Sequence, residues 1–423
     1  SMLKSEVVDL KTRSVGQSIP RKEDATILAG RAQYIADIVL PDMLHAGFLR
    51  SPFAHAKITN IDVSSAAALD GVVRVWTGAD VSQLTDGITA GLQVDDYVAT
   101  TQPAMAATRV RYVGETVAVV IAESRRVAED ALELIDVDYE ELPSVNNVEE
   151  SEAAEHLAND HVPDNVIYRN VRAADDLSSC FEQAAHVVGA SFYNNRVSAS
   201  PLETRGCVAQ HEWTNNLLKL WSATQMPGYL RTMLAMFLAI PEHTIEVITP
   251  QVGGGFGQKA HVHPEELVVC LLARDIGRPV SWIEDRQENL LAGTHAKHQV
   301  NEMRLAVDQE GKFLGLKNTV ATDSGAYNCL PWTASVEGKV GVTTMTGVYK
   351  IPQANLESVE LTTSKCPIGA YRGVGWTAGQ IARETLIDLA ARKLQLSPFE
   401  IRRRNIIEAK DFPYTSASDI VIH

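Results

Sequence analysis

The segment Val252-Gly253-Gly254-Gly255-Phe256-Gly257-Gln258 joins the β-branched segment Thr244–Thr249 to an apolar helical segment that begins at Pro264. This strand–loop–helix order predicts an α/β unit in which backbone N–H groups of the loop point at a bound group. The glycines permit positive φ and let the backbone approach a ligand closely. A loop that served only as a turn would gain nothing from Phe256 among four glycines. The sequence therefore favours a loop that forms one wall of a cofactor site.

The spacing of these glycines excludes two familiar nucleotide sites. Gly-x-Gly-x-Gly is neither the Gly-x-Gly-x-x-Gly dinucleotide fingerprint nor a phosphate-binding loop, whose Gly-Lys-Ser/Thr ending is absent. A nucleotide-binding dehydrogenase is therefore a weak alternative.

Two other segments carry residue types suited to the same kind of site. Gly369-Ala370-Tyr371-Arg372-Gly373-Val374-Gly375 places a ring and a cation among glycines, which suits stacking on a planar group and contact with an anion. Ala223–Pro227 follows a strand that ends at Trp221, and its Gln225 side chain could donate a hydrogen bond there. Taken alone, the first segment is also compatible with a surface loop and the second with a turn.

Composition excludes several classes of function. The chain has 423 residues, of which 45% are hydrophobic and 22% charged, as in a globular protein with a substantial core. Its net charge of −15 opposes binding to nucleic acid and to anionic membranes. Its apolar runs fall short of the roughly 18 residues of a spanning helix. Five cysteines without a Cys-x-x-Cys pair favour reduced thiols in the cytoplasm.

The chain divides into two units of α/β (α+β) type. We predict a polar arm over residues 1–24, a first unit over 25–147, an acidic linker over 148–165 and a second unit over 166–423. Apolar periodicity in the first unit predicts strands 44–50, 116–121 and 134–139 and helix 125–134. In the second unit it predicts strands 217–221 and 244–249, helices 230–238, 264–274 and 378–394, and a hairpin of 300–307 with 313–321. The last eleven residues, 413–423, are polar and predict no closing element.

Histidines and acidic pairs outside these loops have ordinary interpretations. Four histidines lie close together in pairs, but no third ligand accompanies either pair, so solvated loop residues are favoured over a metal site: His261, His263, His295 and His298. Glu265-Glu266 is interpreted as a helix first turn that complements the dipole, and Glu284-Asp285 as a surface pair. No Ser/His/Asp or Cys/His order indicates a hydrolase.

Taken together and in this order, the segments resemble the molybdenum-cofactor subunit of the molybdenum hydroxylases, the family of xanthine dehydrogenase and aldehyde oxidase. The resemblance covers nearly the whole chain and implies a hammerhead α/β domain followed by the first part of a molybdopterin-binding domain. The motifs that carry it are Gly16–Asp24, Leu44–Ala56 and Val113–Ala118 in the first domain, and Pro201–Gly206, Thr224-Gln225, Gly253–Gly257 and Ala370–Gly373 in the second.

The resemblance implies roles for three groups of residues. Gln225, Phe256 and Arg372 would be catalytic, with Gln225 hydrogen-bonded to an oxygen ligand of molybdenum. The cofactor would be bound by Gln225, Gly254, Gly255, Phe256, Gly257, Ala370, Arg372 and Gly373. The substrate pocket would be lined by Tyr371, Trp332 and Val374. The pterin, rather than a protein side chain, would hold the metal.

Three departures from the family's patterns narrow the expected substrate. Ala260 stands where purine-hydroxylating members carry a glutamate, and Val340 falls about where they carry a substrate-binding arginine. Purines are therefore disfavoured. Gly373 stands where carbon monoxide dehydrogenases carry a cysteine, which argues against that activity.

The resemblance also implies that this chain needs partners. Family members continue well beyond the position of His423, and their second half carries a general-base glutamate and most pterin contacts. We therefore expect either a split subunit, as in nicotinate dehydrogenase, or a shortened piece of a longer chain, and the polar end favours the split. The expected cofactor is molybdenum-molybdopterin, with the cytosine dinucleotide form as an option. An iron–sulfur subunit with [2Fe-2S] clusters and an FAD subunit would complete the complex.

The predicted function is hydroxylation of an N-heteroaromatic compound or an aldehyde with oxygen derived from water. A cytoplasmic complex would carry it out, and this chain would supply half of the cofactor pocket. The alternative is a non-catalytic interaction or cofactor-delivery protein with the same fold. The intact Gln225, glycine loop and Arg372 disfavour that alternative.

Overall fold

A computed structural model describes residues 15–423 of the protein as a mixed α/β structure. Its helices are α1 Asp24–Leu28, α2 Ser64–Ala67, α3 Gly78–Val81, α4 Arg125–Leu132, α5 Val148–Ala153, α6 Ser178–Gln183, α7 Pro227–Leu238, α8 Pro264–Ile276, α9 Arg286–Ala292, α10 Ala334–Thr343, α11 Trp376–Lys393 and α12 Pro398–Asn405. Residues 1–14 of the predicted arm lie outside the described residues.

The strands alternate with these helices along most of the chain. They are β1 Leu44–Arg50, β2 Ala56–Asp62, β3 Val72–Thr77, β4 Ile88–Ala90, β5 Thr100–Gln102, β6 Arg109–Val110, β7 Thr116–Ala122, β8 Asp136–Glu141, β9 Val166–Ala174, β10 His186–Asn194, β11 Val197–Ser198, β12 Gly206–Glu212, β13 Leu217–Ser222, β14 Ile245–Ile248, β15 Val280–Ile283, β16 His295–Ala296, β17 Gln299–Val307, β18 Phe313–Gly325, β19 Gln353–Thr362, β20 Tyr414–Thr415 and β21 Val421–Ile422.

The largest sheet has seven strands in the order β14-β13-β12-β15-β1-β7-β3. Three of them, β1, β3 and β7, come from the predicted first unit, and the other four come from the second. The two groups are joined by parallel pairing of β1 with β15, in which Leu44 lies opposite Val280. The two predicted units therefore share one sheet, which a pattern read along the chain does not show.

Local patterns predicted the elements at the centre of this sheet. Every residue of β7 is buried, as a strand that is apolar on both faces requires. Helix α4 begins after Ser124, whose side chain accepts a hydrogen bond from the backbone N–H of Val127. On the other side of the boundary, α8 begins at Pro264 and ends at Gly277 with φ of 72°. These predictions are confirmed.

A second sheet of five strands, in the order β10-β17-β18-β19-β9, carries the rest of the second unit. The predicted hairpin is confirmed, since the whole of β17 pairs antiparallel with residues 313–322 of β18. Helix α11 contacts β10 and β17, and α10 contacts β18, β19 and α11. The apolar faces of these elements form a core around Leu316, Leu356 and Leu386.

Two segments are more ordered than the sequence predicted. Residues 148–165, interpreted as a linker, contain α5, whose Val148 is buried and whose Ser151 hydroxyl donates to the carbonyl of Thr362 at 2.7 Å. The C-terminal residues form the hairpin β20–β21, and its buried Ser418 donates to the carbonyl of Thr343 at 2.7 Å. Both segments hold their places through long-range side-chain contacts, which polar composition does not reveal.

Within residues 15–423, no helix combines the length and apolar character needed to cross a membrane.

Candidate active site

The turn between β13 and α7 places Gln225 at the surface of the second unit. The backbone N–H of Gln225 donates to the carbonyl of Lys259 at 2.9 Å, which ties this turn to the glycine loop. Beneath it, the buried Thr224 hydroxyl also donates to the Lys259 carbonyl, at 3.3 Å. The side chain of Gln225 is therefore held at a strand end, where the sequence predicted it.

The glycine loop meets the Gln225 side chain directly. The backbone N–H of Gly257 donates to Oε1 of Gln225 at 2.9 Å. At Gly255, an added Cβ would lie 2.4 Å from the same oxygen, so a larger residue cannot occupy this position without displacing Gln225. Among residues 15–423, the amide NH2 of Gln225 has no hydrogen-bond acceptor, so it is available to a ligand. This NH2 is left as an outward donor beside the loop.

The third predicted segment closes on the other side of the loop. Gly257 has φ of +105°, and an added Cβ there would lie 2.5 Å from the carbonyl oxygen of Ala370. The backbone N–H of Arg372 donates to the carbonyl of Phe256 at 2.8 Å. The turn at Gln225, 32 positions before Gly257, and the Ala370–Arg372 segment, more than a hundred positions after it, thus meet at the glycine loop.

Phe256 is the strained residue of this loop. It has φ of +55°, and its side chain is 44% exposed. A bulky residue in the left-handed region costs of order 1 kcal/mol or more, so surrounding contacts must impose this conformation. The exposed ring gains little burial in return, which is typical of a side chain kept for contact with a ligand.

A buried ion pair anchors the base of the loop, and the sequence analysis did not identify it. The Lys259 ammonium lies 2.8 Å from Oε2 of Glu203, and the same oxygen accepts from the backbone N–H of Gly253 at 2.7 Å. Burial lowers the pKa of Lys259, which is 2% exposed. The sequence shows Lys259 directly after the glycine loop and Glu203 within Pro201–Gly206, but no sequence pattern indicates that the two form an ion pair.

His261 supports the Tyr371–Arg372 segment, and its interpretation as a solvated residue was wrong. The ring is 3% exposed, and its Nε2 accepts from the backbone N–H of Ala370 at 2.9 Å. Burial lowers its pKa to about 4, so the ring is neutral and carries its proton on Nδ1. An added Cβ at Gly369 would lie 2.3 Å from Nε2, which explains the glycine there.

The neighbouring histidines are not solvated either. His263 is 7% exposed and donates from Nε2 to the carbonyl of Gln258 at 3.1 Å. The buried His298 bonds through Nδ1 to Asp323 at 2.8 Å, whereas His295 is only half-buried. In the part of the chain that the structure describes, no three His, Cys, Asp or Glu side chains are grouped as metal ligands.

The acidic pairs belong to a buried charge network behind the site. Glu265 lies in the first turn of α8 as predicted, but it is buried and bonds Arg50 at 3.0 Å and Arg205 at 3.2 Å. Although burial raises the pKa of Glu265, the charges of Arg205 and Arg50 hold it at about 2. Glu284, interpreted as a surface residue, is buried and bonds Arg205 at 2.6 Å. This network fixes the helix that follows the glycine loop.

The three residues predicted to line a substrate pocket are placed less closely together. Tyr371 adjoins the glycine loop through Arg372, and Val374 is half-buried on the same segment. Trp332 is 42% exposed, and its segment contacts the connection between the glycine loop and α8, where the Val262 N–H donates to the Leu330 carbonyl at 3.0 Å. Tyr371 and Val374 lie on a segment that bonds to the loop, whereas Trp332 lies on a segment that contacts the residues after it.

Comparison with known families agrees with this arrangement. Residues 158–406 match the molybdopterin cofactor-binding domain, and residues 29–143 match the a/b hammerhead domain of aldehyde oxidase and xanthine dehydrogenase. The protein therefore belongs to the xanthine dehydrogenase and aldehyde oxidase family of molybdopterin-binding oxidoreductases. This confirms the predicted family and fold class.

Individual relatives refine the comparison. The chain is 47% identical over 97% of its length to the nicotine 6-hydroxylase large subunit of Paenarthrobacter nicotinovorans and covers 50% of that protein. It superposes on quinoline 2-oxidoreductase of Pseudomonas putida 86 with a TM-score of 0.95 and 59% identity, over 97% of this chain and 52% of that one. The chain thus spans about half the length of these relatives. The nicotinate dehydrogenase large molybdopterin subunit of Eubacterium barkeri is 26% identical over 92% of this chain, and 89% of that subunit is covered.

Proposed function

We propose that this chain supplies one wall of the molybdenum-cofactor pocket in a complex that hydroxylates an N-heteroaromatic compound. The observation that carries the proposal is the orientation of Gln225. Because Oε1 accepts from the Gly257 N–H, the amide NH2 must point away from the loop as a donor. A donor of this kind beside a glycine-lined surface suits an oxygen ligand of a bound metal group.

The loop geometry fits such a group. Gly254 with φ of +95° and Gly257 with φ of +105° hold the loop in a left-handed backbone conformation that other residues rarely adopt. Gly254, Gly255, Gly257, Ala370 and Gly373 would hold the cofactor by close backbone approach, and Phe256 and Arg372 would contact it through their side chains. When bound, molybdenum-molybdopterin supplies the redox chemistry that inserts oxygen from water.

The chain's own residues would orient the reactants. Gln225 would fix an oxygen by hydrogen bonding, Phe256 would exclude water, and Arg372 would place a cation next to an anionic group. Tyr371, Trp332 and Val374 would line a pocket for a planar substrate, because aromatic rings stack well on heteroaromatic ones. Ala260 and Val340 stand where purine hydroxylases would carry charged residues, so a purine is disfavoured as substrate. The similarity to nicotine 6-hydroxylase and quinoline 2-oxidoreductase supports a substrate with a ring nitrogen.

We propose that a further polypeptide segment or subunit carries the general-base glutamate, and that iron–sulfur and FAD subunits take up the electrons. The cofactor would be the cytosine dinucleotide form, and the complex would work in the cytoplasm. We keep 25–147 and 166–423 as the hammerhead and cofactor-binding units, with 148–165 as the connection packed between them.

Gln225→Glu tests this proposal. Glutamate keeps the size of the side chain and the acceptor for Gly257, but its carboxylate cannot donate a hydrogen bond. Turnover of quinoline by the assembled complex should fall by about 100-fold or more, while the complex and its molybdenum content are retained. The control is Gln380→Glu, the same substitution at an exposed position on α11.

Two results would count against the proposal. A complex that purifies without molybdenum would favour the non-catalytic alternative. Unchanged turnover in Gln225→Glu would show that the outward NH2 takes no part in the reaction.

A further inference from the structure

The carbonyl groups of Tyr371 and Arg372 have an unusual partner. Neither residue belongs to a helix or strand, and both carbonyls accept hydrogen bonds from the ammonium of Lys297, at 3.1 Å and 3.2 Å. The same ammonium lies 5.6 Å from the centre of the Tyr371 ring. Lys297 is 9% exposed, so a buried cation holds the backbone of this segment from behind.

The backbone of Lys297 is itself strained. Its φ of +71° lies in the left-handed region, where a long side chain is uncommon. The residue stands between β16 and β17, and His295 of β16 pairs with Ile368, just before the Tyr371 segment. Strain of this kind persists when the flanking structure imposes it, and it is often found at functional sites.

Glu337 holds the other end of the same segment. This residue of α10 is 1% exposed, and its Oε2 accepts from the backbone N–H of Gly375 at 3.1 Å and from Nε2 of Gln299 at 3.0 Å. An added Cβ at Gly375 would lie 2.3 Å from the Glu337 carbonyl oxygen, so helix and segment are in close contact. A buried carboxylate and a buried ammonium thus bind the two ends of one short loop.

The charges of the two side chains support each other. Burial lowers the pKa of Lys297 and raises that of Glu337, and in each case the charge of the other residue opposes the effect. Removing either partner would leave a buried charge with less compensation.

We propose that Lys297 and Glu337 are positioning residues that fix the Tyr371–Arg372 segment against the glycine loop. The effect on turnover rests on the function proposed above, whereas the effect on the segment's backbone does not. Two measurements therefore separate the failure of one proposal from the failure of the other.

Amide hydrogen exchange of the full chain in its complex tests the backbone effect. Lys297→Met keeps the length of the side chain but removes its donors, so the amides of Arg372 and Gly375 should exchange about tenfold faster or more. Lys297→Arg can still donate to both carbonyls and should restore slow exchange. Lys339→Met, at an exposed position on α10, is the matched control.

Exchange at Arg372 and Gly375 that does not change in Lys297→Met would overturn the proposal. If that variant fails to fold, Lys297→Gln and Lys297→Arg carry the same comparison. Faster exchange in the glutamine variant than in the arginine variant supports positioning, and equal exchange contradicts it. Glu337→Gln keeps an acceptor for Gly375 but removes the charge that compensates Lys297, so it should loosen Gly375 less than Glu337→Leu, which removes both.

Steady-state kinetics with quinoline gives the functional measurement. In Lys297→Met, kcat per bound molybdenum should fall about tenfold, and KM should rise because Tyr371 is no longer held in place. A residue that only stabilised the fold would lower the amount of active complex but leave KM and kcat per molybdenum unchanged. Absence of turnover in the wild-type complex would contradict the proposed function, while the exchange results would still decide the role of Lys297.

Discussion

The backbone N–H of Gly257 donates to Oε1 of Gln225 at 2.9 Å, across 32 positions of sequence. This single contact determines which end of the Gln225 amide faces outward, because an N–H group can only be paired with the oxygen. It also joins the turn after β13 to the glycine loop, and so brings two of the three predicted segments together.

Gly255→Ala should displace Gln225 without unfolding the protein. The new Cβ would stand 2.4 Å from Oε1, closer than non-bonded atoms approach, and the exposed glutamine can rotate away. We expect turnover to fall by about 100-fold, the scale on which a misplacement of about 1 Å acts. Gly228→Ala is the control, since an added Cβ there meets nothing within 4 Å. Equal activity of the two variants would contradict the importance of this contact.

Phe256→Asn should separate stability from activity. Asparagine tolerates the left-handed conformation better than phenylalanine, and the ring is 44% exposed, so little burial is lost. We expect the free energy of unfolding to change by about 1 kcal/mol or less, while turnover decreases markedly. Thermal unfolding and steady-state kinetics on the same sample measure both. Phe399→Asn, at an exposed position on α12, controls for the loss of a surface ring. A large loss of stability would show that Phe256 is mainly structural.

His261 should make stability depend on pH. Its pKa is about 4 in the folded protein, against 6.5 for an ordinary histidine, because burial disfavours the charged ring. The unfolded chain therefore takes up a proton first, and stability decreases as the pH falls from 6.5 toward 4, by at most about 1.4 kcal/mol per pH unit. His261→Gln cannot titrate and keeps an acceptor for Ala370.

The comparison is made by denaturant unfolding at several pH values. Between pH 6.5 and 4, the free energy of unfolding should decrease less in His261→Gln than in wild type. Because the other titrating groups are the same in both proteins, their contributions cancel when the two free energies are subtracted at each pH. His243→Gln, at an exposed position, controls for the substitution itself. Parallel pH curves for wild type and His261→Gln would contradict a buried neutral imidazole.

Lys259→Met should destabilise the glycine loop. Removing the ammonium leaves Glu203 without its 2.8 Å partner, and breaking a buried pair in this way costs about 3 kcal/mol or more. Adding Glu203→Gln should recover part of that loss, because the remaining side chain is neutral and still accepts from Gly253. The control is Lys219→Met, which removes a more exposed partner of Glu212 and should have little effect. Additive losses in the double variant would argue against a coupled pair.

Sequence patterns were sufficient to predict the local elements and the segments that carry the chemistry. A continuous apolar run predicted β7, Ser124 marked the start of α4, and Pro264 and Gly277 marked the two ends of α8. These signals act within a few residues of one another. The ordered set of motifs identified the family. Glycines at 255 and 257 indicated a close approach of backbone, although not what approached.

Which residues contact one another became evident from the three-dimensional structure. The pairing of β1 with β15, the ion pair of Lys259 with Glu203 and the burial of His261 all join positions that are distant along the chain or lie in loops without periodicity. Burial determined the role of the polar residues. A loop histidine such as His261 can be a solvated base or a neutral acceptor for the Ala370 N–H, depending on what packs against it. Sequence patterns report a residue's own preferences, whereas hydrogen bonds and desolvation depend on neighbours that only the fold supplies.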